Sequence, residues 1–152
     1  MKNIVLILVI AIISCNSNDD NRYSNIDFSL IGQGQLHGNG AENIEKATLI
    51  IENTTAWDNL INKMNTVNMV SENLNETEIN FSQFLVIAVF DEVYNNGGHS
   101  IDIIKIVENQ VEIIVTIDKL LNGDASSVVT QPYHIIKIPI TEKSIIFEYK
   151  TL

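Results

Sequence analysis

The sequence predicts an α+β domain rich in strands, with a mainly antiparallel sheet, built as a sandwich or a meander, and one helix packed on it. Two observations carry this. Five apolar or alternating runs follow one another at short intervals after residue 84, and a single segment before them has helical spacing. Connections this short favour antiparallel pairing, because parallel neighbours need long crossovers.

The chain opens with MKNIVLILVIAIISC. Lys2 supplies a positive end, Ile4 to Ile13 an apolar run of ten residues, and Ser14-Cys15 a small residue before the only thiol. Ten is well short of the roughly 20 apolar residues that span a bilayer, so residues 1–14 read as an export signal. Cys15 can form no internal disulfide, and Ile12-Ile13-Ser14-Cys15 resembles the lipobox of bacterial lipoproteins. Lipidation at Cys15 and membrane attachment through it are expected. Residues 15–25 then read as a polar tether, and 26–152 as a single globular domain.

Asp27 to Leu36 is a strand interrupted by glycines, and Thr48 to Asn53 is another. In TTAWDNLINKMN, Thr55 is the candidate N-cap with Asp58 three residues on, and Trp57, Leu60, Ile61 and Met64 share one face. The later strands are Phe84 to Val93, Ser100 to Val107, Val111 to Asp118, Tyr133 to Ile140 and Ser144 to Tyr149. In the third, Val111, Ile113, Val115 and Ile117 alternate onto one face. Asn109-Gln110 and Thr141-Glu142-Lys143 are the tight turns. If the five strands form a meander, the loops Tyr94 to His99 and Lys119 to Gln131 share one end and are neighbours. The second, thirteen residues long, exceeds what a hairpin needs.

A net charge of −10 repels phosphate backbones, so no nucleic-acid partner is expected. Asn95-Asn96-Gly97-Gly98 lies between strands and lacks the helix that a phosphate loop requires. His37, His99 and His134 are the candidates for a metal- or ligand-binding enzyme, although no ligand spacing links them. There is no nucleophile elbow and no spare thiol, so no enzyme activity and no cofactor are expected. Asp91 and Glu92 read as solvated charges at a strand end. The two loops suit either an ordinary pair of turns or a protein-binding edge. That edge would comprise Asn95, Asn96, Gly97, Gly98, His99 and Ser100 with Gln131, Pro132, Tyr133 and His134.

VIAVFDEVYNNGGHSIDI, followed by VVTQPYHIIKIP, resembles the C-terminal domain of the protease complex subunit PrcB family. The matching positions are Gly97, Gly98, His99 and Ser100, then Pro132, Tyr133, His134, Lys137 and Pro139, within residues 84–147. His99 stands where many members carry tyrosine. The resemblance implies a lipid-anchored protein of the outer membrane, periplasmic or surface-exposed, whose partner is an exported protease that it serves as subunit, stabiliser or inhibitor.

Overall fold

The computed structural model describes residues 22–150; the leader, Cys15 and the tether as far as residue 21 lie outside them. The apolar run Phe84–Phe90 forms β4, whose two faces are both covered. Val86, Ala88 and Phe90 join one core, while Leu85, Ile87 and Val89 join the other. An uninterrupted apolar strand is what burial on both sides selects, since neither parity of side chain meets water.

The chain order is β1 (Ser24–Asn25), β2 (Ser29–Leu36), β3 (Ala47–Ile51), α1 (Thr54–Met64), β4, β5 (Asp102–Glu108), β6 (Glu112–Asp118), β7 (Gln131–Pro139) and β8 (Ser144–Tyr149). Two four-stranded sheets result, ordered β1-β5-β6-β8 and β2-β7-β4-β3. The fold is therefore the β-rich α+β class expected, in its sandwich form. Ile103, Ile106, Ile113, Val115 and Ile117 meet Leu85, Ile87, Val89, Ile136 and Ile138 between the sheets. On the far side of the second sheet, Trp57, Leu60 and Met64 of α1 cover Val86, Ala88, Phe90, Tyr133 and Ile135. Burying the indole is worth about 3 kcal/mol, and its Nε1 donates to Thr77 O at 2.7 Å, so no polar group is stranded.

Several local expectations are corrected. The N-cap of α1 is Asn53, whose side chain accepts from Ala56 N, rather than Thr55, which lies inside the first turn. The tether ends early: Ser24 and Asn25 pair with Glu108 and Val107. The five later strands do not form one meander. Only β5 and β6 are a hairpin, closed where Asn109 N donates to Glu112 O. After Thr141 to Lys143 the chain crosses between sheets, and β8 pairs parallel to β6. In β2 the glycines mark a bulge between Leu30 and Gly32. A Cβ on Gly32 would meet Leu74, which packs against the strand there.

Candidate functional site

The segment 91–101 leads from β4 to β5 and the segment 119–130 from β6 to β7, so both cross from one sheet to the other, in opposite directions. The two loops are neighbours as expected, though through sheet-to-sheet crossing and not through a meander. They are bonded along their length. Tyr94 N donates to Thr130 O at 2.8 Å and Thr130 N returns to Tyr94 O at 3.0 Å. Asp124 N donates to Gly97 O and Gly123 N to Gly98 O, both at 2.9 Å, and Ser100 N donates to Leu121 O at 3.0 Å. Side chains complete the seam: Gly97 N donates to Ser126 Oγ, and Thr130 Oγ1 to Asn96 O. Gly98 (φ 72°) and Gly123 (φ 97°) hold left-handed backbone at the points of closest approach. A Cβ on the first would meet the Asp124 side chain, and one on the second the His99 ring.

His99 has a structural use. Its ring stacks on Tyr94 with centroids 3.6 Å apart and planes 9° from parallel, and its Nε2 bonds Asn96 Oδ1 at 3.0 Å. Its carbonyl accepts from Gln35 Nε2 on β2, which fastens the loop to the sheet.

Behind the loops lies a charge cluster that contradicts the expected solvated strand end. Asp91 is fully buried, with Lys46 Nζ at 3.0 Å from one oxygen and Lys119 Nζ at 2.7 Å from the other. The Lys46 contact is an ion pair without hydrogen-bond alignment. Tyr94 Oη donates to Asp91 at 2.7 Å and accepts from Lys119 at 2.8 Å. Glu92, mostly solvated, sits 3.7 Å from Lys119 and 4.0 Å from Lys46. Burial alone would push the Asp91 carboxyl up, but Lys119, Tyr94 and the Lys46 charge together hold it below the usual carboxylate range. Burial and the Asp91 charge push the Tyr94 phenol up. Burial opposes the Lys119 charge, yet Asp91 outweighs it and raises its pKa. Each group is thereby held in its resting protonation state. None is poised for proton transfer near neutral pH. The cluster is a clamp that joins the segment before β3, the end of β4 and both loops.

Comparison with family models, curated proteins and solved structures finds no match.

The second half of the expected contact edge is corrected by burial. Gln131, Pro132, Tyr133 and His134 are all buried, because β7 runs between β2 and β4 with both faces covered. Tyr133 packs on Phe90 in the helix-side core. His134 Nδ1 accepts from Ile103 N at 2.9 Å, and burial pulls its pKa down against a smaller opposing effect of Asp102, keeping it neutral. In the first half, Asn95 is exposed, Asn96, Gly98, His99 and Ser100 are half-buried and Gly97 is buried.

Nor do the histidines converge. Among the described residues no group of three or more His, Cys, Asp or Glu side chains could hold a metal ion. Ser100, Asp102 and His134 lie in one neighbourhood, but the serine hydroxyl donates to the carboxylate and accepts from Leu121 N at 3.0 Å. A nucleophilic serine would instead donate to the imidazole. The set braces the loop against the sheet.

The loop end exposes apolar side chains that sequence reading did not single out. Leu120 and Leu121 are 60% and 59% exposed, and Val128 is 50% exposed. Val93 lies on the opposing strand of the seam and is also exposed. The available signal was two adjacent apolar pairs, Leu120-Leu121 and Val128-Val129, in a connection bounded by strands.

Proposed function

We propose that the chain is a non-enzymatic, lipid-anchored protein of the bacterial cell envelope, at the outer membrane and facing the periplasm or the surface. Its partner in this reading is an exported protease, bound as subunit, stabiliser or inhibitor. The observation that carries it is the ledge made by the two bonded loops, which holds Leu120, Leu121 and Val128 in water on a rigid frame. Exposed apolar side chains on a preorganised loop lose little entropy on docking, which favours protein recognition. The resting protonation of Asp91, Tyr94 and Lys119 fits a scaffold better than a catalyst. The anchor in this reading is Cys15, on the lipobox-like Ile12-Ile13-Ser14-Cys15.

The test is crosslinking and pull-down from detergent-extracted source envelope with the full chain and with Leu120→Ser/Leu121→Ser/Val128→Ser. The native chain should capture a protease, and the variant should lose it while keeping its unfolding midpoint. Equal capture by both proteins overturns the ledge as the contact surface.

A further inference from the structure

The end of the sandwich opposite the ledge carries exposed apolar side chains of its own. There the β5–β6 hairpin turns at Asn109 to Val111, β7 ends at Pro139 and β8 begins at Ser144 beside Glu112. Val111 is 68% exposed and Ile140 55%. A cleft of about 130 Å³, lined by Ile26, Ile113, Pro139 and Ile140 with Glu108 and Thr141, joins the two strand ends. Two carboxylates at this end are already engaged: Glu108 meets Lys143 Nζ at 2.6 Å, and Glu112 accepts from Tyr23 Oη at 2.8 Å.

The chain also enters the fold here. Ser24 pairs with Glu108, the last residue of β5, and Ile26 N donates to Ile106 O at 3.0 Å, so β1 climbs from the hairpin towards the ledge. Cys15 stands eight positions before Tyr23, a length that reaches at most about 29 Å. The ledge lies a strand length further on, about 20 Å along β5. A lipid on Cys15 therefore tethers the hairpin end directly, and the ledge only through it. Arg22 and Tyr23, both exposed, add a cation and an amphipathic aromatic, types favoured at headgroup level. Asp27 and Glu142 are exposed near them, so this end has no excess of positive charge to draw anionic lipid.

We propose that the hairpin end rests on the membrane that carries the chain's own lipid, with Tyr23, Val111 and Ile140 in the bilayer interface, and that the ledge is thereby presented away from the membrane. This orientation rests on the lipid-anchor part of the function proposed above. Apolar side chains beside the anchor add their burial to that of the lipid and fix how the domain stands.

Cys15 is the only thiol, so a cysteine introduced into the lipidated full chain takes a fluorophore alone. Gln110→Cys marks the hairpin and Asn95→Cys the ledge, and each labelled chain is reconstituted into phosphatidylcholine vesicles containing headgroup-spin-labelled phosphatidylcholine. Quenching at position 110 should be at least about threefold that at position 95, because about 20 Å separates the two ends. Val111→Ser/Ile140→Ser should cut the quenching at position 110 by about half. Both replaced side chains are mostly exposed, so that variant should keep its unfolding midpoint. Equal quenching at the two positions, or undiminished quenching at position 110 in the serine variant, overturns the orientation. A mass spectrum showing Cys15 without an acyl chain overturns it together with the anchor. Protease capture without quenching at position 110 would sink the membrane contact and leave the proposed function standing. Quenching at position 110 without any captured protease would do the reverse.

Discussion

Asp91→Asn tests whether the buried clamp holds the two loops in place. The carboxylate is fully buried against two ammonium groups at 2.7 and 3.0 Å and a phenol at 2.7 Å. Removing one member of a buried ion pair typically costs about 3–5 kcal/mol, because a charge is left stranded. Here the stranding is incomplete: the Lys46 and Lys119 side chains are 45% and 30% exposed and can turn their heads to water. We therefore expect a loss of about 2–3 kcal/mol, read as a urea midpoint shift at unchanged m, or as a fall of about 8–12 °C in Tm. The loss should be local in origin, so hydrogen exchange should quicken first at Tyr94, Gly123, Asp124 and Thr130, whose amides form the seam. The pH dependence has a definite sign. Because the folded carboxyl titrates below its unfolded value, its stabilisation is complete above the ordinary aspartate range and is lost as pH falls through the folded value, below about pH 4. Asp91→Asn should flatten that acid limb. A variant within about 0.5 kcal/mol of the native protein, the usual range of an inconsequential surface change, or one with seam amides as protected as before, would refute the clamp.

Two further outcomes follow from the same end of the molecule. Gly98→Ala forces a side chain into left-handed backbone (φ 72°) with its Cβ 2.7 to 2.8 Å from the Asp124 side chain; a cost of about 1–2 kcal/mol is expected in urea unfolding, and an unchanged midpoint would show that the loop relaxes freely. His134 is kept neutral by burial while the unfolded chain takes up a proton near pH 6.5. Its contribution is therefore complete above about pH 7 and declines as pH falls below that value, so His134→Gln, which keeps an acceptor for Ile103 N, should shallow the slope of stability between pH 7 and 5; identical slopes would remove His134 from the account.

What was legible in the sequence, and what was not, follows from how local each cause is. The doubly buried β4 and the amphipathic α1 are written in adjacent residues, and the hairpin at Asn109 needs only its own turn. The path of β8 is not local. Thr141 to Lys143 looks like a hairpin turn, but β7 already has β2 on one side and β4 on the other, so no edge remains for β8 to join. The chain must cross to the other sheet, where β6 has a free edge and accepts it in parallel. The same crowding extends the expected strand back to Gln131 and covers both of its faces, and so buries Gln131 to His134, which were expected on an exposed contact edge. Asp91 was misread for a related reason: a carboxylate at a strand end is solvated unless cations arrive to meet it, and Lys46 and Lys119 arrive from segments far away in the chain. The loop pair was found despite the wrong sheet, because Phe90 at the end of β4 pairs with Tyr133 at the start of β7, and Asp102 at the start of β5 with Asp118 at the end of β6, so both connections leave the same end of the two sheets. The place of the loop pair therefore rests on strand register, while which of the neighbouring side chains reach water was fixed by strand crowding that only the assembled fold reveals.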